Sequence, residues 1–418
     1  MRSAILGMLL AVSVLDALAQ TSVPIHVTIV MHSEQTAAYQ NNPVLFETSR
    51  TNLYRFATLL AQRGVMFNFQ SDWTFLAAVT NFDAAGRVET GGTNIIAWME
   101  RDLGFEIDPH NHINQSIYTY ADVAALIAAC GATPTPVAGG FIAWPPASNE
   151  LHVFQGTLTG AVHTAVTWRA GTLWGGASHG HRNETNLWFS GVYSPRDGTN
   201  WWQHQDGNLP LVGGYGGREV AWTNLARLLA MRTAGQLCTG TLYSCNIMVN
   251  MSELNAPFIL AFDAQLRSYT NEPNLRWVGI NQLTNLWAAE YAQRAAYLPW
   301  SPTNDLDADG LVDGWELTNF CGIAASDGSL DFDADGQIDA DEYGAGTSPT
   351  NDADFFALVD GYERVITWRT VPGRTYIVEA DAGAGWTPVH TATAVGVWRS
   401  WTNPLPATHI WHRVRVQP

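Results

Sequence analysis

Two acidic segments of twelve residues constrain this chain more than any other feature of its sequence. The first runs from Asp305 to Glu316 and the second from Asp331 to Glu342. Each has a carboxylate at positions 1, 3, 5, 9 and 12 and a glycine at position 6, where the backbone has to turn sharply. An acidic, disordered linker is the alternative interpretation, but it would not repeat the same spacing 26 residues later. The pattern therefore predicts two loops that each fold around a calcium ion.

Calcium takes about six to eight hard oxygen ligands, and each loop offers four aspartates, one backbone carbonyl and a bidentate glutamate. The predicted ligands are Asp305, Asp307, Asp309, Leu311, Asp313 and Glu316 in the first loop, and Asp331, Asp333, Asp335, Gln337, Asp339 and Glu342 in the second. With the trailing "EYGAGTSPTNDAD", the segment resembles the thrombospondin type 3-like and dockerin-like calcium repeats of bacterial exported proteins. The resemblance implies an EF-hand-like spacer, at residues 301–354, that calcium stiffens.

The negative charge of the chain is concentrated in this acidic segment. The formal net charge is -17, and 14 of the 38 acidic residues lie between Asp305 and Asp354, a stretch without arginine. The chain has no lysine, and its remaining 24 acidic residues nearly balance its 21 arginines. Since no basic stripe is present to displace the counterions of phosphates, the composition argues against a nucleic-acid partner.

The first residues have the parts of a secretory signal peptide. Arg2 is followed by an apolar stretch from Ala4 to Leu15 and by Ala17-Leu18-Ala19, an A-x-A cleavage pattern. No later segment stays apolar for the roughly 20 residues that span a membrane. We therefore expect removal of residues 1–19 and an exported protein, either secreted, at the cell surface or periplasmic. In an oxidising compartment, Cys238 and Cys245 are close enough in sequence to form a disulfide.

The segment after the acidic loops, residues 355–418, alternates apolar and polar residues with the period of β-strands. The strongest examples are 365–368, 375–379 and 412–416, separated by turn residues such as Pro372-Gly373. About 60 residues of short strands predict a small β-sandwich. It resembles the modules that follow calcium spacers in bacterial surface proteins, which implies an association with the cell surface.

The body of the chain, residues 20–300, alternates predicted strands and helices. Predicted strands lie at 25–31, 65–69, 105–107 and 137–141, and predicted helices at 45–62, 93–103, 120–129 and 220–232. Strands that alternate with helices predict a parallel sheet and, at this length, a closed or nearly closed TIM-like barrel.

Polar side chains follow the carboxyl ends of two predicted strands, where folds of this kind place their catalytic residues. The strand 105–107 leads into Asp108-Pro-His110-Asn-His112, and the first strand into His32-Ser33-Glu34. In an extended chain, residues two apart share one face. A third pair, His179 and His181, lies in the glycine-rich "WGGASHGHRNE".

Histidine nitrogens and carboxylate oxygens are suitable ligands for zinc and similar divalent ions. Two or three of them around an open coordination position would activate water. In the alternative interpretation, these histidines only form hydrogen bonds with neighbouring loops. The residues alone leave both interpretations open.

Residues 24 to about 290 resemble a divergent polysaccharide deacetylase of the NodB-homology group, carbohydrate esterase family four. Three stretches carry the resemblance: "IVMHSEQ", "MERDLGFEIDPHNH" and "YTYADVAALIAACG". The resemblance implies a distorted (β/α)7 barrel. Family members have an Asp-Asp pair after the first strand and a His-x-x-x-His pair after the third. Here His32-Ser33-Glu34 stands in place of the aspartates, and the histidines are two apart, with Asn114 at the fourth position from His110.

Transferred residue by residue, the resemblance implies that Glu34, His110 and His112 hold a divalent transition metal. It leaves the general base open between His32 and Asp108, and it makes His181 the candidate acid. The implied activity is metal-dependent hydrolysis of an N- or O-acetyl group on a carbohydrate polymer. Aromatic faces suit sugar rings, and "NWWQHQDG" at residues 200–207 is a candidate wall for the substrate.

Two other functions compete with the deacetylase interpretation. A His-x-His at a strand end also marks amidohydrolase and phosphoesterase barrels, although those place it after the first strand and this chain has no lysine to be carbamylated. A non-catalytic surface protein that binds glycan through the barrel is the second alternative. Metal content and acetate release would separate the three.

Overall fold

The structure is a computed structural model of the 418-residue chain. It describes residues 23–33, 37–113, 116–142, 150–175, 188–213, 217–299, 303–354, 358–359, 365–381, 385–402 and 411–417. The chain divides into two compact units, unit 1 at residues 1–301 and unit 2 at residues 302–418. The predicted signal peptide lies outside the described residues.

Unit 1 alternates strands and helices through most of its length. Its strands are β1 (Ile25–His32), β2 (Asn68–Ser71), β3 (Glu106–Pro109), β4 (Val137–Phe141), β5 (Leu158–Thr159), β6 (Thr167–Trp168), β7 (Thr172–Gly175), β8 (Trp188–Tyr193), β9 (Leu211–Val212), β10 (Tyr243–Asn250), β11 (Leu275–Trp277) and β12 (Ala296–Pro299). Its helices are α1 (Pro43–Gln62), α2 (Trp73–Phe82), α3 (Ile95–Arg101), α4 (Tyr120–Ala129), α5 (Gly217–Thr233), α6 (Ala256–Arg267) and α7 (Ile280–Glu290). Across the described part of the chain, no helix has both the length and the hydropathy of a membrane span.

Four strands of unit 1 form a parallel sheet in the order β10-β1-β2-β3, and β11 pairs with the first half of β1. The register places His32 beside Gln70 and Gln70 beside Asp108. Since the strands are parallel, their carboxyl ends meet at one edge, which we call the carboxyl edge.

One face of this sheet is apolar and is covered by helices. Phe69 of β2 contacts Phe75 of α2 with ring centroids 5.5 Å apart, and Phe67 contacts Phe56 of α1 at 5.7 Å. Each fully buried side chain of this size contributes roughly 1.5–3 kcal/mol by leaving water. Helix α1 begins at the point where the Asn42 side chain accepts a hydrogen bond from the Leu45 amide at 3.0 Å.

A second sheet has the order β12-β8-β9-β7-β4, with parallel pairs at β4–β7 and β7–β9 and antiparallel pairs at β9–β8 and β8–β12. A single backbone bridge between His110 and Gly139 joins β4 to the residue after β3. Among the described residues, the strands do not close into a barrel, so the (β/α)7 barrel stays a prediction.

The predicted disulfide between Cys238 and Cys245 is wrong. Cys245 is a free, buried thiol in β10. Burial raises the pKa of this thiol to about 12, so it packs as an apolar side chain at neutral pH.

Unit 2 begins with the acidic loops and continues into short strands. Its helices are α8 (Asp313–Phe320) and α9 (Asp339–Ala345), and its strands are β13 (Leu358–Val359), β14 (Val365–Arg369), β15 (Thr375–Asp381), β16 (Thr387–Thr393), β17 (Trp398–Thr402) and β18 (Trp411–Val416). The strands form two three-stranded antiparallel sheets, β13-β14-β17 and β16-β15-β18.

Buried residues from both sheets of unit 2 form one hydrophobic cluster. Its members are Ile366, Trp368, Tyr376, Val378 and Ala394. The β-sandwich itself stays a prediction. Apart from residue 301, the predicted spacer, residues 301–354, and the predicted module, residues 355–418, both lie within this unit.

Candidate functional site

The second face of the parallel sheet is lined by buried polar side chains. In the register of β2 and β3, Asn68 pairs with Glu106 and Gln70 pairs with Asp108. Residues two apart along a strand point to the same side, so all four side chains lie on this face. Asn68, Gln70 and Asp108 are fully buried. Burial of polar groups is costly unless they are hydrogen-bonded, so this face needs an internal network.

Asp108 lies at the centre of that network. Its Oδ2 accepts hydrogen bonds from Asn68 Nδ2 at 3.0 Å and from Gln70 Nε2 at 3.3 Å, and its Oδ1 accepts one from Thr135 Oγ1 at 2.5 Å. Burial, and next the charge of Glu106, raise the pKa of Asp108 to about 7, against the three hydrogen bonds that lower it. The carboxyl group is therefore fixed in place from three sides.

The same network holds the first turn of α7. Glu106 accepts hydrogen bonds from the amides of Asn281 at 2.9 Å and Gln282 at 3.0 Å, and Asn68 Oδ1 accepts one from the Ile280 amide at 3.0 Å. Asn68 Nδ2 also lies 2.7 Å from Glu106 Oε2, so one amide joins both carboxylates. A Cβ at Gly279 would lie 2.2 Å from Glu106 Cδ, which explains the glycine before this helix.

Three histidines meet at the carboxyl edge. His32 ends β1 and His110 follows β3; they are 2% and 1% exposed, and their ring centroids lie 4.4 Å apart. The half-buried His112 lies 5.0 Å from His110, nearly perpendicular to it. Trp174, from β7 of the second sheet, contacts His32 edge to face at 5.0 Å.

Gly140 of β4 makes room for His110. Its φ of +80° favours glycine, and a Cβ there would lie 2.9 Å from His110 Cε1 and 2.8 Å from the Asn111 carbonyl oxygen. The backbone conformation of β4 thus helps to fix the position of the histidine.

Ser33 and Asp72, neither of them predicted as a site residue, lie at the same edge. Ser33 Oγ donates to Asp72 Oδ1 at 2.5 Å, and the Asp72 amide donates to Ser33 Oγ at 3.0 Å. Asp72 also caps α2 through Thr74 and Phe75, and burial raises its pKa. An aspartate between a strand and a helix is a recognisable N-cap signal.

An aromatic pair lies in the segments that follow β2 and β3. Trp73, the first residue of α2, stacks on Tyr118, with ring centroids 4.6 Å apart and planes 12° from parallel. Both are half-exposed. The Tyr118 carbonyl accepts a hydrogen bond from Asn111 Nδ2 at 2.9 Å, which joins the pair to the loop of His110.

Of the site residues predicted in unit 1, the structure brings four together and does not describe the others. His32, Asp108, His110 and His112 belong to one edge of one sheet. Glu34 and His181, with the neighbouring His179, lie outside the described residues.

The candidate sugar-binding wall at residues 200–207 contains a buried tryptophan. Trp201 is 4% exposed and packs against Phe141 and Tyr193. It is a packing residue, so the wall cannot depend on this ring.

The three histidines have the donor chemistry of a transition-metal site, although their nitrogens are more spread than in a closed one. Among the described residues, two groups of three potential ligands have all their ligand atoms within 4.8 Å of one another, and both are in unit 2. In unit 1 the rings of His32 and His110 are in contact, with centroids 4.4 Å apart.

The two groups in unit 2 are the aspartates of the acidic loops. They are Asp305, Asp307 and Asp309 in the first loop, and Asp331, Asp333 and Asp335 in the second. The loops have the same internal hydrogen bonds. Gly310 donates to Asp305 Oδ2 at 3.1 Å, and Gly336 donates to Asp331 Oδ2 at 3.0 Å.

The glutamates at position 12 lie close enough to the aspartates of their loops to interact with them electrostatically. Glu316 and Glu342 are fully buried. Burial, and next the neighbouring aspartates, raise the pKa of Glu316 to about 10 and that of Glu342 to about 7. Carboxylates that the fold brings this close together are stabilised by a bound cation. The positions of the two glutamates therefore agree with the predicted calcium ligands.

Comparisons with known proteins give little further information. No family model matches the chain, and no curated protein matches it. A solved structure described as a "putative polysaccharide deacetylase" from Mycobacterium smegmatis is similar with a TM-score of 0.36 and 10% identity, over 67% of this chain and 94% of that one. Similarity of this degree carries no argument about function.

Proposed function

We propose that this chain is an exported hydrolase that acts on carbohydrate at the carboxyl edge of unit 1, where a divalent transition metal assists removal of acetyl groups. The observation that carries the proposal is the convergence of His32, His110 and His112 above the fixed carboxyl group of Asp108. In parallel α/β sheets, the carboxyl ends of strands are where catalytic groups are placed.

His110 and His112 would hold the metal, with Glu34 as the third ligand that the family resemblance implies. A metal held there would act as a Lewis acid and lower the pKa of water. Imidazole and carboxylate donors are the set that zinc and related ions take in catalytic sites. Gly140 and Asp108 fix the strand end from which His110 projects.

His32 is the better of the two candidate bases. The Asp108 carboxylate already accepts three hydrogen bonds from side chains and is fully buried, so it serves to position the strand end. His32 is the last residue of β1, and its ring contacts that of His110. Trp174 shields one side of the His32 ring from water. A base in this position would take a proton from the attacking water.

The Trp73–Tyr118 pair favours a carbohydrate substrate. Both rings are half-exposed at the edge that carries the histidines. Flat aromatic faces with a polar rim bind ligands that have both apolar and polar faces, and sugar rings have apolar C–H faces and polar hydroxyls. The pair therefore takes the place of the buried Trp201 as the proposed wall.

For unit 2 we propose calcium binding through the twelve predicted ligands. The two aspartate groups within 4.8 Å and the matching loop geometry support it. Calcium would offset the repulsion between buried carboxylates and so stabilise the unit rather than take part in the reaction.

Metal content and acetate release test the hydrolase proposal. Purified full-length protein should contain about one equivalent of zinc, cobalt or nickel besides calcium, and should release acetate from acetylated chitin, peptidoglycan or xylan fragments. His110→Ala should lose both properties, whereas His163→Ala, at a half-exposed histidine of unit 1, should keep both. Absence of a transition metal together with intact glycan binding would favour the non-catalytic alternative. Bound metal without acetate release would favour another metallohydrolase.

A further inference from the structure

Unit 2 contains a cavity of about 260 Å³ next to the second acidic loop. Thr347 and Asp354, which follow α9, form one side of the cavity. Arg369, Pro372 and Tyr376, from β14, the following turn and β15, form the other. The volume is just below the range of about 300–1,000 Å³ for small-molecule sites, so the cavity suits a single ring or a comparable group.

The charged groups that line the cavity are an arginine and an aspartate in contact. Arg369 Nη2 lies 2.7 Å from Asp354 Oδ1, and both side chains are about one third exposed, at 31% and 32%. The opposite charges compensate each other, so the cavity does not select for a charged ligand. The guanidinium only donates hydrogen bonds and the carboxylate only accepts them, and adjacent hydroxyls on one ligand can satisfy both at once.

Apart from the threonines Thr347 and Thr370, the other lining side chains are mainly apolar. Pro372, the Tyr376 ring and Val397 contribute carbon surface, and the Tyr376 hydroxyl already accepts a hydrogen bond from the Val371 amide at 2.8 Å. A ligand for this cavity therefore needs one apolar face and a pair of adjacent hydroxyls. We propose that this cavity is a binding site for a neutral sugar ring.

An exposed tryptophan extends the proposed site along the sheet. Trp398 pairs with Arg369 across β14 and β17, so the two side chains lie on the same face. Trp398 is 52% exposed. Its ring offers a flat surface for the next ring of an oligosaccharide, so the site selects a chain of sugars over a free monosaccharide.

The wall of the cavity is joined to the second acidic loop. The Thr347 amide donates to the Glu342 carbonyl at 3.1 Å, and Glu342 is the twelfth residue of that loop. Arg374 Nη1 donates to the Gly344 carbonyl at 2.6 Å, which holds the end of α9 against β15. Sugar binding should therefore require calcium; this part of the inference rests on the calcium binding proposed above.

Hydrogen–deuterium exchange of the full-length protein tests where sugar binds. The probes are the hexamers of xylose and of N-acetylglucosamine, at saturating calcium. We expect at least one of them to protect the peptides at residues 343–354 and 366–378, and chelation of calcium to abolish that protection. No protection there by either probe, or protection confined to unit 1, would overturn the inference.

Calorimetric affinities of variants test which residues bind the sugar. Arg369→Ala should weaken binding roughly tenfold to a hundredfold, because charge-assisted hydrogen bonds are lost. Asp354→Asn, which keeps the shape of the side chain, should weaken it as well. Arg413→Ala is the matched control, since it removes an arginine paired with Glu379 at 2.7 Å outside the cavity. Equal affinity in all three variants and the original protein would refute the site. If the protein binds sugar in unit 2 but releases no acetate, only the hydrolase proposal is refuted.

Discussion

His26 gives a prediction about the stability of unit 1 that can be worked out from its surroundings. The residue lies in the first half of β1, at the opposite end from His32, and is fully buried. Its Nδ1 lies 3.2 Å from the Tyr243 carbonyl oxygen, and Nε2 has no hydrogen-bond partner among the described residues. A proton on Nε2 would place a positive charge in the interior with nothing to accept it.

Burial lowers the pKa of His26 from 6.5 to about 4, and the hydrogen bond to Tyr243 opposes this only in part. The unfolded chain therefore binds more protons than the folded chain between these two values, so stability falls as the pH is lowered through this window and is constant above it. One unit of pKa corresponds to about 1.4 kcal/mol. The difference between pH 7 and pH 5 is then about 2 kcal/mol, and the full loss below pH 4 is about 3 kcal/mol.

The measurement compares the original protein with His26→Gln, which keeps the size and polarity but does not titrate. Hydrogen exchange in the β1 peptide reports on unit 1 alone, at pH 7 and pH 5. The carboxyl groups, including Asp108 with its raised pKa, titrate in both proteins and cancel in the difference between them. The free energy of opening should fall by about 2 kcal/mol more in the original protein than in the variant. Parallel pH profiles would refute the argument that His26 is buried in neutral form.

Three further predictions concern other parts of the molecule. Arg50 is buried and contacts Asp83 at 2.9 Å. Arg50→Met should therefore lower the free energy of unfolding of unit 1 by about 3–5 kcal/mol, measured by urea unfolding. The control Arg87→Met, at a more exposed arginine, should lower it by less than about 1 kcal/mol. Gly140→Ala should displace His110 and lower transition-metal content and acetate release, without loss of the calcium-dependent stability of unit 2; unchanged metal content would show that β4 does not position the histidine. Chelation of calcium should lower the melting temperature of unit 2. For each site, stability falls by about 2.7 kcal/mol if the free calcium concentration was a hundred times Kd. Glu342→Gln should reduce this calcium effect, and equal melting temperatures with and without calcium would contradict the calcium proposal.

The acidic loops could be interpreted from sequence because their geometry is local. All the groups that define one loop lie within twelve residues, and glycine at position 6 adopts a positive φ in both, +97° at Gly310 and +100° at Gly336. The last residues of each loop lie in a short helix, α8 or α9. Calcium binding itself stays a prediction.

The candidate site could be predicted only in part. The placement of His32 and His110 at one edge follows from the rule that parallel strands end together. Trp174 comes from the second sheet, and nothing in the sequence near His32 indicates that contact. Strand β2 begins three residues later than predicted and ends two residues later, because the apolar run 65–69 suggested the strand, whereas the largely polar residues 68–71 form it. Buried polar residues that are paired by a network cannot be recognised from hydrophobic patterning.

Helix α2 was not predicted because its apolar residues occupy most of its positions. In "WTFLAAVTNF" no polar face gives the helical period. The usable signal was Asp72, an N-cap at the end of a strand, and the same residue proved to contact Ser33 at the candidate site.

The two arginines that join the acidic segment to the sheets of unit 2 decide where this chain can be divided. Arg374 and Arg369 lie beyond residue 354 and contact groups at or before it, namely the carbonyls of Gly344 and Ala353 and the Asp354 carboxylate. A truncation at that position would remove the groups that accept these hydrogen bonds and would expose the surface of the sheets that they cover. A fragment of the protein that is meant to refold with these sheets should therefore keep residues 303–354 in one piece with them.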